Sequence, residues 1–193
     1  MAKKRIIVGI SGASGIRLGI AVLEILRGIP DWEIHLIMTR GAEVTLGYES
    51  DMAPDTVKAL ADVVHPIDNL AASVSSGTFK TEGMIIAPCS MKTVAGVACG
   101  YSENLLLRAA DVVVKEKRRL LIMPRESPLS SIHLKNLLTL SDLGAVILPP
   151  VPAFYQKPAD MNSVVKHITG RALGYFGIET DFIRPWDGQV LCG

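Results

Sequence analysis

Short aliphatic runs alternate along the chain with longer stretches in which apolar residues return every three or four positions. Arg5-Ile6-Ile7-Val8-Gly9-Ile10 predicts a buried strand, and Leu18, Val22, Leu23 and Leu26 then line one face of a helix over about 15–27. The same logic predicts a strand at 33–38, a helix after Thr39, and a short helix opened by Pro54-Asp55 and running through Val64. A third strand, Met84-Ile85-Ile86-Ala87, stops at Pro88, and helical patterns follow at 90–98 and 103–116. A fourth strand at 119–123 stops at Pro124 and precedes a helix carrying Leu134, Leu137 and Leu138. The fifth strand, 145–148, stops at Pro149-Pro150, and a last helix spans about 160–176. Strand, turn and helix repeated in this order predict an α/β fold: a doubly wound, mostly parallel sheet between two helical layers. No repeat or linker interrupts the pattern, so a single domain over 1–193 is expected, with a short tail from about 180.

Composition narrows the function classes. Hydrophobic residues make up 49% and charged residues 20% of the 193 positions, a globular balance that excludes disorder. Twenty basic and nineteen acidic residues leave a net charge of +1, and no charge block advertises nucleic acid or an anionic membrane. Aromatics are only 5%, too few for a platform of stacked bases. Cys89, Cys99 and Cys192 match no zinc or disulfide spacing, which suits a reduced, cytoplasmic protein. The basic start, Lys3-Lys4-Arg5, precedes an apolar run too short for a signal peptide, and no 18-residue apolar run exists to span a bilayer.

Open parallel sheets bind ligands beyond the carboxyl ends of their strands. Those positions read Ser11-Gly12-Ala13-Ser14-Gly15, Thr39-Arg40, Cys89-Ser90-Met91-Lys92-Thr93, Arg125-Glu126-Ser127 and Val151-Pro152-Ala153-Phe154-Tyr155. Hydroxyls, amide-rich turns and cations are what a phosphate requires. The first turn, Gly9-x-x-Gly12-x-x-Gly15, is neither the dinucleotide fingerprint nor a P-loop, and a plain tight turn would need the same glycines. An NAD enzyme usually carries Asp or Glu after its second strand; Thr39-Arg40 points instead to a mononucleotide, or less readily to NADP. Arg125-Glu126 also reads as a surface ion pair, and Lys115 with its basic neighbours as a solvated helix end. Glu49, Tyr155 and Arg171 are ambiguous on position alone. The four histidines show no metal spacing, and no G-x-S-x-G elbow suggests a hydrolase. Residue chemistry alone reaches a phosphorylated mononucleotide, with room for a second anion.

Six ordered segments add a resemblance: Val8–Gly15, Ser75–Phe79, Pro88–Thr93, Arg108–Val113, Pro124–Leu129 and Pro149–Tyr155. Together they resemble the UbiX/Pad family of flavin prenyltransferases, from the N-terminus to about Trp186. The resemblance implies a Rossmann-like, flavodoxin-like fold that binds FMN and moves a dimethylallyl group from dimethylallyl phosphate onto the reduced flavin. Prenylated FMN would then serve a UbiD-type decarboxylase. It also implies a homo-oligomer, typically a dodecamer, with sites shared between subunits.

Carried over by residue, the resemblance assigns FMN to Gly12, Ala13, Ser14, Thr39, Ser90, Met91, Lys92, Thr93 and Arg125. Dimethylallyl phosphate would be held by Tyr155 and Arg171, and by Lys115 from a neighbouring subunit. Ser14, Glu49 and Glu126 are the candidates for proton handling, and no metal is implied. Departures are small: Ile16-Arg17 follows Gly15 where relatives have a smaller residue and Tyr, and Thr39-Arg40 replaces a frequent Ser-Lys. A non-catalytic subunit that binds or delivers FMN to a hydroxyarylic acid decarboxylase is the alternative. A flavin-dependent cysteine decarboxylase fits less well, because its Pro-x-Met-Asn segment is missing.

Overall fold

The structure, a computed structural model, describes residues 3–183. The expected tail beyond Ile183, with Trp186 and Cys192, lies outside the described residues.

Six strands form one sheet: β1 (Lys4–Ile10), β2 (Trp32–Met38), β3 (Val63–His65), β4 (Gly83–Cys89), β5 (Arg119–Pro124) and β6 (Val146–Ile147). All pairings are parallel, in the order β3-β2-β1-β4-β5-β6. The helices are α1 (Ile16–Arg27), α2 (Arg40–Glu49), α3 (Pro54–Lys58), α4 (Met91–Ala98), α5 (Leu105–Lys115), α6 (Ser131–Asp142) and α7 (Met161–Gly174). The α/β, doubly wound, three-layer architecture is as expected.

The five predicted strands alone would give the flavodoxin order; the short edge strand β3 extends it to the order of dinucleotide-binding sheets. Residues 63–64 were expected to end a helix. That helix stops at Lys58, and Val63–His65 pair with His35–Ile37 instead. Three residues are too few to announce a period, and Pro54 at the first helical turn made the helix the stronger local signal. Strands β4 and β5 also run to Cys89 and Pro124 rather than stopping at the prolines. A register shift between Ile86 and Cys89 lets Pro88 sit in the strand, where its missing N–H breaks no regular ladder.

Alternation along the strands builds the two apolar layers. Ile6, Val8, Ile10, Ile34 and Leu36 face a cluster completed by α1, α2, α3 and α7. Ile7, Ile37, Met84, Ile86 and Ile122 face one completed by α4, α5 and α6. The amphipathic stripe of α1 packs so closely that a Cβ on Gly19 would lie 2.3 Å from the Ala87 carbonyl oxygen. Between β3 and β4 the chain returns along α5 with only a 3-10 turn at Ser73–Ser75. Arg118 fixes the end of that return, donating to the Phe79 carbonyl at 2.7 Å and to that of Gly77 at 2.5 Å.

Gly19→Ala should therefore push α1 off β4 and lower unfolding stability by about 1–3 kcal/mol. Gly47, inside α2 with nothing within 4 Å of its Cβ position, is the control. Gly47→Ala should raise stability by about 0.5–1 kcal/mol in the same urea titration.

Candidate functional site

Chain winding reverses between β1 and β4, so the loops leaving these two strands open a crevice at their carboxyl ends. Ser11, 1% exposed, ties the two loops together. Its hydroxyl donates to the Pro88 carbonyl at 2.9 Å and accepts from the Ser90 amide at 2.7 Å. A cleft of about 600 Å³ lies here, bounded by Ser11, Gly12, Thr39, Arg40, Gly41, Ser90, Lys92 and Thr93 on one side. Ile67, Asp68, Glu103, Asn104, Leu106 and Leu107 complete it.

Three helices begin at this cleft with side-chain caps. Thr39 accepts from Ala42 N at 3.1 Å, Ser90 from Thr93 N at 3.3 Å, and Asn104 from Leu107 N at 3.1 Å. Each cap satisfies one amide of the first turn and leaves others directed outward, beside the positive end of the helix dipole. Gly12 and Gly41 let two loops touch: a Cβ on Gly12 would stand 2.8 Å from the Gly41 carbonyl carbon. Outward amides, four hydroxyls and the Arg40 and Lys92 cations suit an anion; Ile67, Leu106 and Leu107 suit a flat apolar ring. A phosphorylated ring compound of flavin size fits both demands.

Of the nine residues expected on FMN, Gly12, Thr39, Ser90, Lys92 and Thr93 line this cleft. Ala13 and Met91 are buried, at 9% and 8% exposure, so what they can offer a ligand is backbone. Ser14 and the charge of Arg125 both act on Glu49, whose carboxylate lies at the turn that carries Gly12. The Glu49 carboxylate reaches from the last turn of α2 to the start of α1. It accepts from Gly15 N at 2.8 Å and Ile16 N at 2.9 Å, and also from the Ser14 hydroxyl. Burial pushes its pKa up, but these donors and the Arg125 charge outweigh that and hold it below the ordinary carboxylate range. Glu49 is thus an ionised clamp that orients Ser14 and fixes the left-handed Gly15, at φ 99°.

The Arg125 amide donates to Cys89 O at 3.1 Å, bridging the ends of β5 and β4. Glu126 beside it is exposed, its carboxylate accepting from Ser127 N at 3.0 Å. Cys89 itself is fully buried, and burial pushes its thiol pKa far up. Tyr155 sits in a 3-10 turn, Phe154–Gln156, on the loop after β6, and is 56% exposed.

Lys115 and Arg171 are elsewhere. Lys115 ends α5 and pairs with Glu116 at 2.6 Å, just before β5 begins. Arg171 lies within a turn of Tyr175, whose carbonyl accepts from the Arg119 guanidinium. Phe176 packs beneath Arg119, 5.6 Å from ring centre to guanidinium, and against Gly83. Arg119 and Gly83 are the first residues of β5 and β4, so both cations belong to the amino edge of the sheet. The seven-residue strands separate that edge from the cleft by about 20 Å.

Ile67, Asp68, Glu103, Asn104, Leu106 and Leu107 are wall residues that the motifs did not assign. Arg40 pairs with Asp68 at 2.7 Å across the mouth. Asn104 had a readable signal, a capping residue directly before a leucine run, whereas Ile67 and Asp68 arrive only through the unforeseen β3. Among the described residues, no three His, Cys, Asp or Glu side chains gather as a metal site, and no helix is long and apolar enough to cross a membrane.

Glu49→Ala should cost about 1 kcal/mol of stability by uncapping α1. A lowered carboxylate stabilises above its unfolded pKa, and that contribution is lost as pH falls through the folded value. The wild-type advantage in urea unfolding should accordingly shrink below about pH 4.5 and be constant above it.

Comparison with known proteins fits this geometry. The Flavoprotein family model matches residues 1–173. The chain is 51% identical over 187 residues to the flavin prenyltransferase UbiX of Neisseria meningitidis serogroup B, covering 97% of this chain and 98% of that one. It is 49% identical over 184 residues to a probable UbiX-like flavin prenyltransferase of Sedimentibacter hydroxybenzoicus, covering 95% and 97%. The crystal structure of AnUbiX (PadA1) in complex with FMN and dimethylallyl pyrophosphate superposes with a TM-score of 0.95 at 47% identity, covering 97% of this chain and all of that one. A dodecameric FMN-dependent UbiX-like decarboxylase from Escherichia coli O157:H7 gives 0.94 at 48% identity, covering 95% and 100%. The FMN-dependent cysteine decarboxylase SpaF, at 20% identity and a TM-score of 0.61, shares the fold alone. With half its residues shared along nearly the full length of these relatives, and the cleft at the sheet's switch point, the chain belongs to the Flavoprotein family, among the UbiX-like flavin prenyltransferases.

Proposed function

We propose that this chain is a flavin prenyltransferase whose active site is assembled from more than one copy, the cleft from one and the cations for the donor phosphate from others. The activity is transfer of a dimethylallyl group from dimethylallyl phosphate to reduced FMN. The carrying observation is the cleft, with its outward amides and hydroxyls at the β1–β4 crevice, in a chain half identical to named flavin prenyltransferases.

Reduced flavin, when bound, supplies an electron-rich ring to an allylic phosphate whose C–O bond is ready to break. The protein's part is positioning and charge. Gly12, Thr39, Ser90 and Thr93 hold the flavin with backbone amides and hydroxyls, and Lys92 and Arg125 neutralise its phosphate. Lys115, Arg171 and the Tyr155 hydroxyl stabilise the departing donor phosphate. The proton released on ring closure has two exits in this chain: the Ser14 hydroxyl, aligned on the ionised Glu49, and the exposed Glu126.

Lys115 and Arg171 stand at the sheet edge opposite the cleft, so they serve a neighbour's site. Exposed apolar side chains supply contact surface for such assembly: Val44, Tyr48, Ile132, Leu138, Val151, Phe154 and Met161 are all more than 60% exposed. A homo-oligomer, a dodecamer by analogy with the Escherichia coli relative, is the proposed form. We also propose that prenylated FMN leaves for a UbiD-type decarboxylase, and that the protein works in the cytoplasm.

The test is anaerobic incubation with reduced FMN and dimethylallyl phosphate, followed by the mass of the extracted flavin. A gain of one prenyl unit with phosphate release is expected; unmodified FMN bound stoichiometrically would favour a delivery subunit. Arg171→Ala should retain FMN and lose transfer. In oligomers reassembled from equal parts of Arg171→Ala and Arg125→Ala chains, about a quarter of sites regain both groups, and activity should recover to about that fraction. No recovery would place the two arginines on one protomer.

A further inference from the structure

Two buried histidines outside the cleft form a proton-sharing pair. His35, from the middle of β2, and His65, the last residue of β3, are 3% and 8% exposed. His35 Nδ1 lies 2.9 Å from His65 Nε2, and His35 Nε2 lies 2.7 Å from the Glu33 carboxylate. Arg5 on β1 donates to that same carboxylate oxygen at 3.1 Å and covers the Phe79 ring at 4.6 Å. Phe79, from the 66–82 return, closes the cage edge-on against His35 at 5.2 Å.

Proton bookkeeping follows from these contacts. Glu33, ionised beside Arg5, only accepts, so His35 Nε2 carries a hydrogen. The short contact between the rings then holds one proton, on His35 Nδ1 or on His65 Nε2. A neutral or singly charged pair satisfies it. A doubly charged pair sets N–H against N–H in a buried space, and the contact must open.

We propose that the His35–His65 pair is an acid-sensitive latch that fastens edge strand β3, and with it the Ile67–Asp68 wall of the cleft, to the sheet. Among the described residues, neither ring is paired with a second carboxylate. Helix α5 adds apolar side chains such as Ala109 and Ala110 to this layer, and its Asp111 is committed to Arg108 at 2.6 Å. Arg118 is committed to the carbonyls of Gly77 and Phe79, and Asp68 to Arg40. Asp62, directly before β3, accepts from Ile34 N at 2.8 Å. Burial, and after it the charge of His35, holds the His65 pKa below the ordinary imidazole value. A histidine lowered on folding stabilises at high pH. That contribution is lost as pH falls below about 6.5, where the opened strand takes up the proton first.

Hydrogen exchange on the intact oligomer tests the latch, with rates corrected for intrinsic pH dependence. Between about pH 7.5 and pH 5, protection of residues 63–68 should fall about tenfold relative to β1 and β4. His65→Gln keeps a donor toward His35 Nδ1 without the titration and should hold that ratio within about twofold. With the titration of the ligand's own phosphate, common to both proteins, divided out, FMN affinity should weaken over the same range in the wild type and stay flat in the variant. The exchange result stands whatever the cleft binds, so it is independent of the prenyltransferase reading. An equal fall in both proteins, or no selective fall in the wild type, would overturn the proposal. If His65→Gln does not fold, the wild-type ratio alone decides.

Discussion

The Ser11 hydroxyl stands where the sheet must part. Beyond β1 the chain turns into α1 and builds one side of the sheet; beyond β4 it turns into α4 and builds the other. Loops leaving adjacent strands in opposite directions strand backbone groups in a space too closed for bulk water. One buried oxygen that donates to Pro88 and accepts from Ser90 meets that need and sets the spacing of the two loops. The caps at Thr39 and Ser90, the contact of Gly12 with Gly41 and the outward amides of α2 and α4 all take their positions from that spacing.

Much of this was legible in the chain because the signals were local and repeated. Each buried strand is an aliphatic run followed by a residue that turns or caps, and the cleft residues are those very turns. Thr39 and Ser90 could be placed as anion ligands because strand ends in a parallel sheet share one edge. What was not legible depends on distance. Glu49 shows nothing in its neighbourhood to say that it reaches back thirty-odd residues to the amides of Gly15 and Ile16. β3 hides behind Pro54, and its reason for existing, the ladder with His35–Ile37, lies in another strand. Lys115 and Arg171 carry no local sign that they occupy the far edge. That follows only from how α5 and α7 descend the sheet to Arg119 and Gly83.

The two ends of the molecule have different chemistry for a simple reason. Strand carboxyl ends meet helix amino ends, which favours neutral hydroxyls and amides for binding an anion. Strand amino ends meet helix carboxyl ends, where cations are at ease, and Lys115, Lys117, Arg118 and Arg119 cluster there. Helix dipoles thereby favour one face that offers backbone amides to a phosphate, with Lys92 beside them, and an opposite face where cations gather. In the proposed oligomer, contact between copies would bring the two faces together without either having to be built into the wrong end.

Cys89 directly precedes Ser90, so sulfur lies one residue from a cleft suited to a reduced, electron-rich ring. A thiolate there would be a competing nucleophile and a point of entry for oxidants. The apolar layer around Cys89 keeps the sulfur protonated and sterically shut, and burial makes its ionisation harder still. The same packing that seats β4 against α4 and α5 leaves that sulfur chemically silent, a bystander to any electrons that pass through the adjoining cleft.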